Sequence, residues 1–242
     1  MSAGRPPHRA RVILGATCFA DAEASLQIAV VLAKQINGEL YGVLVTDDAI
    51  LASVSTPHAR TVSYSGRSLP NVTEKSMHAA FSADARLFEK RLVGAAQSAS
   101  LVSGFSEARG RLTGVLSEDA AAGDLVVFGF RRIVADGDRV VLVFGGTPPD
   151  PDLLNLGAHL SKTLRKPLTV FAAPEFETDI TARLSELSVT TCDLQPFTGV
   201  GTLLIQLEMM TPAAVVVGFD ISGFSSVMRL IDAARCPVVV PF

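Results

Sequence analysis

Short apolar runs recur along the whole chain, and amphipathic stretches separate them. This alternation is typical of parallel β-strands joined by helices that cover both faces of a sheet. We therefore expect an α/β protein. The predicted strands are RVILGA (11–16), ELYGVLV (39–45), SEARGRL (106–112), DLVVFGF (124–130), DRVVLVF (138–144), PLTVFAA (167–173), VTTCDLQ (189–195), AAVVVGF (213–219) and CPVVVPF (236–242).

Amphipathic periodicity predicts the helices between these strands. In the first half, one helix ends at Asn37-Gly38 and a second spans about 79–101. In the second half, helices are expected near 150–165, 177–187, 201–210 and 225–234, with Thr202 capping the third. The last of them has a predicted buried stripe made of Val227, Leu230, Ile231 and Ala234.

The second half repeats the plan of the first, with GELYGVLV in one half and KPLTVFAA in the other. Internal duplication predicts two tandem doubly wound parallel-sheet domains, 1–137 and 138–242. Only eight residues, RRIVADGD, separate the fourth strand from RVVLVF, whereas a parallel crossover needs about a dozen. The first domain is therefore predicted to lack its last helix and strand. Residues 48–78 are rich in Ser, Thr and Pro, and predict either a functional flap or disorder.

Composition and charge exclude several classes of function. The net charge is −3, so no basic field supports binding to nucleic acid. The apolar runs are far shorter than the roughly 20 residues of a membrane-spanning helix. The basic first residues, MSAGRPPHRAR, lead into a strand and not into a secretory segment. We expect a cytoplasmic protein that does not bind membranes.

Cysteines and histidines predict no disulfide framework and no metal site. The three cysteines, Cys18, Cys192 and Cys236, form no CxxC pair, and the four histidines have no metal-ligand spacing. Cys18 lies at a strand-to-helix junction, where a helix N-terminus can lower the pKa of a thiol. The alternative is that Cys18 is a small buried hydrophobe.

The order and spacing of these elements resemble the universal stress protein family in a tandem two-domain form. The resemblance rests on ASLQIAVVLA, GELYGVLV, DLVVFGF and CPVVVPF, and it extends from Arg11 to Phe242. It implies parallel sheets of the adenine nucleotide alpha hydrolase-like fold. It also implies a cytoplasmic stress-response protein that acts by binding, and family members often dimerise through the last strand.

Nucleotide-binding members of that family carry an acidic residue after the first strand. They contact adenine from the end of the second strand and hold phosphates with G-x2-G-x9-G-(S/T) after the fourth. In this chain the acidic position falls on Thr17 and Gly145, and the end of the second strand falls at Val45. Neither carboxylate is present.

The phosphate loops also depart from the family pattern. After the fourth strand the first half offers Gly129, Arg131 and Arg132 and then continues into the second half. The second half offers Gly218, Gly223, Ser225 and Ser226, with four residues between the two glycines instead of two. One interpretation is a residual anion site at the start of the last helix. The other is that Ser225 only caps that helix.

Several charges have two readings each. Arg131 and Arg132 follow a strand at the sheet edge where α/β proteins bind ligands, so they predict either an oxyanion site or a bridge between the domains. His58 and His78, with nearby basic residues, predict a lid over an anion or a solvated loop.

GFSSV lacks the last glycine of a nucleophile elbow, and no catalytic residue is predicted.

These observations favour a protein that acts by binding, with degenerate ATP sites and no cofactor. The expected partner is another protein or a second copy of the chain. One alternative is an ATP-binding or weakly ATP-hydrolysing protein with a divergent site in the second domain. Another is a carrier that binds a small ligand at the strand ends beneath the flap.

Overall fold

The computed structural model describes residues 10–47, 73–131, 137–189, 191–218 and 224–242. Of the predicted positions, Arg132, Gly223 and the flap segment 48–72 lie outside the described residues, as do the side chains of Ser225 and Ser226. The final part of the predicted flap is helical. Thr73 begins this helix with a capping box, in which Thr73 and Ser76 each accept a hydrogen bond from the other's backbone N–H.

Nine strands form one sheet in the order β3-β2-β1-β4-β9-β8-β5-β6-β7. Every neighbouring pair is parallel except β4 and β9. The strands are β1 (Arg11–Ala16), β2 (Glu39–Thr46), β3 (Ser103–Arg109), β4 (Leu125–Phe128), β5 (Arg139–Gly145), β6 (Leu168–Ala172), β7 (Cys192–Pro196), β8 (Pro212–Val217) and β9 (Val238–Pro241). The predicted α/β fold class is confirmed.

Seven described helices cover the two faces of this sheet. One core lies beneath the first, second, fourth and fifth helices, and the other lies beneath the remaining three. The helices are α1 (Phe19–Gln35), α2 (Glu74–Ser98), α3 (Leu112–Asp119), α4 (Pro151–Leu164), α5 (Glu177–Glu186), α6 (Val200–Met209) and α7 (Phe224–Ala234). The predicted stripe of α7 is buried.

Two local predictions are wrong, and one helix was not predicted. Strand β3 begins at Ser103 and ends at Arg109, because Gly110 turns the chain at φ 129° and α3 follows at once. The sequence analysis missed α3, whose eight residues are too few to show a clear helical period. Thr202 lies inside α6 and does not cap it. Gly199 occupies the N-cap of α6.

The two halves of the chain meet at β4 and β9. Strand β9 is parallel to β8, in the manner expected of a fifth strand of the second half. Its other edge pairs antiparallel with β4, where Val127 lies opposite Val239. The described residues of the first half form four strands, as predicted, and β9 occupies the place beside β4. The expectation of parallel strands fails only here, because the second half enters the sheet in the opposite direction.

Equivalent helices in the two halves end in the same backbone motif. Asn37 after α1 and Arg165 after α4 both adopt the left-handed conformation, with φ of 49° and 55°. Ser100 after α2 and Ser188 after α5 also match, with φ of 57° and 53°. The corresponding cap hydrogen bonds are Gly38 N to Ala33 O (2.9 Å), Lys166 N to Ser161 O (3.0 Å), Leu101 N to Ala96 O (2.9 Å) and Val189 N to Leu184 O (3.1 Å).

A buried carboxylate fastens the start of β1 to the start of β4. The side chain of Asp124 has no exposed surface, and it accepts hydrogen bonds from Arg11 N (2.8 Å), Arg11 Nη2 (2.8 Å) and Ala121 N (3.0 Å). The Asp124 carbonyl accepts from Phe242 N (2.9 Å), which extends the β4–β9 ladder. Burial alone would raise the pKa of Asp124, but the hydrogen bonds from Arg11 and the backbone lower it below its usual value.

Replacing Asp124 by Asn should lower the free energy of unfolding by about 2 to 4 kcal/mol, because the Arg11 guanidinium loses its charged partner. Since the pKa of Asp124 is lowered in the folded state, its stabilising effect is present above the ordinary pKa. The effect is lost as the pH falls through the folded-state pKa. Urea denaturation at pH 7 and at pH 3 measures both effects, and the difference between the two proteins should be smaller at pH 3 than at pH 7.

Asp138→Asn is the matched control for this prediction. Asp138 pairs with Arg139 at the start of β5, and its side chain is 52% exposed. An exposed pair of this kind contributes little to stability. A loss as large as that of Asp124→Asn would contradict the assigned role of the buried carboxylate.

Replacing Val239 by Asp should prevent folding of the whole chain. Val239 is fully buried between Val127 and Val216, and an unpaired carboxylate there costs well over about 4 kcal/mol. Circular dichroism and protease resistance measure the outcome. Phe242→Ser, at a side chain that is 41% exposed, should change stability by about 1 kcal/mol or less. A folded second half in Val239→Asp would contradict the structural role of β9.

Candidate functional site

Three of the predicted positions in the first half lie at one edge of the sheet. Thr17 follows β1, Val45 is near the end of β2, and Gly129 follows β4. Because these strands are parallel, their carboxyl ends meet at the same edge. Val45 is fully buried in the core. Gly129 N donates to Gly15 O at 2.7 Å, so the chain leaves β4 in close contact with β1.

The first two backbone donors after Gly129 are satisfied by side chains of α1. Phe130 N donates to Ser25 Oγ at 3.1 Å, and Arg131 N donates to Asp21 Oδ1 at 2.9 Å. Ser25 is fully buried, and its hydroxyl donates to Asp21 O at 2.9 Å. The loop after β4 is thus bonded to the first two turns of α1. The Arg131 side chain itself is exposed.

The start of α1 is capped by a carboxylate from another helix. Phe19 N donates to Asp84 Oδ2 of α2 at 2.9 Å. A helix N-terminus carries a partial positive charge and free N–H groups, so an acidic side chain stabilises it. Asp84 and Asp21 therefore place two carboxylates at the carboxyl edge of the first half, where the sequence predicted an anion site.

Cys18 occupies the N-cap of α1, and its thiol donates to Asp21 Oδ2 at 3.3 Å. Burial of the thiol and the neighbouring Asp21 charge raise the pKa of Cys18. Of the two interpretations of Cys18, the raised pKa contradicts an activated thiol and favours a small, partly buried hydrophobe. Cys192 behaves similarly, because burial raises its pKa to about 11, and Cys236 is buried.

The second half shows the same close contact after its fourth strand. Gly218 N donates to Val143 O at 2.7 Å, which matches Gly129 N and Gly15 O. A Cβ atom on Gly218 would lie 2.9 Å from Phe144 Cδ1 and 3.0 Å from Leu153 Cδ1. This packing alone accounts for a glycine at the position.

The turn after β5 is closed by its own hydrogen bonds. Gly145 ends the strand at φ 62°, and Thr147 Oγ1 donates to Phe144 O at 2.9 Å. Asp150 caps α4 by accepting from Asp152 N at 2.8 Å. The N-terminus of α4, like that of α1, is thus capped by a carboxylate. Ser225 and Ser226 lie in the first turn of α7.

A small cavity of about 180 Å³ opens at the carboxyl ends of β6 and β7. Its polar lining comes from Glu177 and Gln195, and its floor includes Ala172, Ile180 and Leu194. Drug-sized ligands generally occupy cavities of about 300 to 1,000 Å³. This cavity was not predicted from the sequence, and its volume lies below that range.

The sequence analysis missed Asp21, Ser25 and Asp84. An acidic residue in the first turn of a helix is an ordinary feature, so Asp21 carries no special signal. Asp84 lies 65 residues from Phe19 in the sequence, and only the packing of α2 on α1 brings them together.

Among the described residues, no group of three or more His, Cys, Asp or Glu side chains could hold a metal ion. No helix in the described ranges is long and apolar enough to cross a membrane.

Comparison with solved structures identifies the fold. The chain resembles a universal stress protein from Archaeoglobus fulgidus with a TM-score of 0.53 and 11% identity, over 96% of this chain and 95% of that one. A functionally unknown protein from Pseudomonas aeruginosa PAO1 gives a TM-score of 0.48 and 8% identity, over 96% and 92% of the two chains. No family model matches the sequence, and no curated protein matches it. The fold is that of universal stress proteins.

Replacing Asp21 by Ala should lower the free energy of unfolding by about 1 to 2 kcal/mol, because Arg131 N loses its acceptor. The Arg131 amide should also exchange its hydrogen faster. Thermal denaturation and NMR hydrogen exchange measure these effects. Glu23→Ala on the same helix is the control, because Glu23 and Arg91 form an exposed pair. Unchanged exchange at Arg131 in Asp21→Ala would contradict the assigned contact.

Proposed function

We propose that this protein is a stress-response protein of the universal stress protein type that acts by binding and does not use ATP. One observation carries the proposal. The backbone donors after β4 donate to Ser25 and Asp21, and the first donor of α1 donates to Asp84. A phosphate bound at this edge would need the same donors. It would also face two carboxylates.

Electrostatics oppose a nucleotide at the edge of the first half. Two like charges about 4 Å apart repel by about 1 kcal/mol in water and by more in a partly buried site. A triphosphate near Asp21 and Asp84 would meet this repulsion from both side chains. In the first half, acidic side chains of the chain itself therefore accept the hydrogen bonds of backbone N–H groups that an anion would need.

The matched strand order and helix caps support a tandem arrangement, with domains at 1–137 and 138–242. The orders β3-β2-β1-β4 and β7-β6-β5-β8 are equivalent, and β9 completes the second set. The four left-handed caps occupy corresponding places. In this proposal the chain is a fused pair of universal stress protein domains that share one fifth strand.

The pairing of β9 on both edges limits the surfaces through which the chain can bind a second copy. Both edges of β9 are paired, with β8 on one side and β4 on the other. A second copy of the chain cannot pair with it while the sheet is intact. Any self-association therefore uses another surface, and we propose a protein partner in the cytoplasm as the binding target.

The test is a titration with a fluorescent ATP analogue in the presence of Mg²⁺, beside chromatography of any nucleotide released on denaturation. We expect no released nucleotide and no saturable binding at micromolar concentrations. Asp21→Ala/Asp84→Ala should bind more tightly than the natural sequence, by about fivefold for each charge removed.

Micromolar binding would overturn the proposal. If such binding were lost in Gly223→Val and kept in Arg131→Ala, the second half would contain a working nucleotide site. If it were lost in Arg131→Ala, the first half would contain that site despite its carboxylates. Folding of each variant is checked by its thermal denaturation curve.

A further inference from the structure

A cationic cleft of about 290 Å³ lies at the amino edge of the second half, between the ends of α4 and α5. Three positively charged side chains and three hydroxyl groups line it, and its described lining residues include no carboxylate. They are Lys162, Arg165, Lys166, Ser161, Ser188 and Thr191. This edge is opposite the edge that carries Gly218 and α7.

Two of the three cations are held in place by backbone carbonyls. Lys162 Nζ donates to Leu187 O at the end of α5, and Lys166 Nζ donates to Gly137 O. Ser161 Oγ donates to Lys166 O at 2.6 Å and fixes the backbone between them. An ammonium group has three donors, so each lysine retains donors for a ligand.

The charged residues that line the cleft are all positive. The C-termini of α4 and α5 each contribute about half a negative charge. Lys162 and Arg165 therefore leave about one positive charge in excess among the lining side chains and the helix ends.

The first half provides an internal comparison. The equivalent cleft, of about 250 Å³, lies between the ends of α1 and α2 and contains one cation, Lys34. Where the second half has Arg165 and Lys166, the first half has Asn37 and Gly38. Asn and Gly adopt the left-handed conformation more readily than Arg does. The same cap thus forms without the two extra cations, so capping does not explain them.

We propose that this cleft binds a phosphoryl group of a small molecule or inorganic phosphate. The planar guanidinium of Arg165 can donate two parallel hydrogen bonds to such an oxyanion. Lys162 supplies further charge, and the hydroxyls of Ser188 and Thr191 supply further donors. The site is independent of the nucleotide-binding edge discussed above.

The experiment is an NMR titration of the full chain with inorganic phosphate at low ionic strength and pH 7.5. We expect saturable shifts of the Arg165, Lys166 and Ser188 amides with a Kd of about 1 mM. The Kd should rise with added NaCl, because salt screens the charges. Arg165→Asn should weaken binding about tenfold, as expected for the loss of hydrogen bonds to a charged group.

Arg165→Asn should fold at least as well as the natural sequence, since Asn tolerates the left-handed conformation. If it does not fold, Arg165→Gly serves the same purpose. Lys34→Gln in the equivalent cleft of the first half is the matched control and should leave the Kd unchanged. Absence of saturation, equal binding by Arg165→Asn, or equal weakening by Lys34→Gln would each overturn the proposal.

A second titration distinguishes the two sources of the phosphoryl group. Glycerol 3-phosphate that binds more tightly than inorganic phosphate would assign the cleft to phosphorylated small molecules, and equal affinity would assign it to the free anion. The Arg165→Asn variant also distinguishes binding in the cleft from binding at the carboxyl edge of either half. An ATP-analogue signal that is lost in Arg165→Asn belongs to the cleft.

Discussion

The antiparallel pairing of β4 with β9 is the contact on which the rest of the molecule depends. It joins two sets of parallel strands into one nine-stranded sheet with a continuous core on each face. Because the two sets run in opposite directions, the carboxyl edge of the first half and the amino edge of the second lie on the same side of the molecule. Arg131 and the cleft around Arg165 therefore share one side.

Acidic side chains of the first half accept hydrogen bonds where its strands and its first helix begin or end. Asp124 fastens the starts of β1 and β4, while Asp21 and Asp84 fasten the chain where α1 begins and β4 ends. In each case a carboxylate accepts from a backbone N–H that would otherwise be unsatisfied. The edge at which the sequence predicted a nucleotide is thus part of the scaffold, and this supports the proposed function.

Much of the fold was predictable because continuous apolar runs report buried parallel strands directly. The bounds of β1 were predicted to the residue, and the missing fifth strand followed from a connection too short for a crossover. The direction of β9 relative to β4 was not predictable, because apolar runs do not encode orientation. At the candidate site, Gly129 and Gly218 were identified, but Asp84 was not, since its contact with Phe19 depends on helix packing.

The central position of β9 also constrains how the chain acquires its structure during synthesis. Residues 238–241 leave the ribosome after every other described strand, yet they belong in the middle of the sheet. Until they emerge, β4 and β8 each present an open edge that can pair with other nascent chains. The first half can assemble its four described strands early, but the edge of β4 stays open until β9 has emerged.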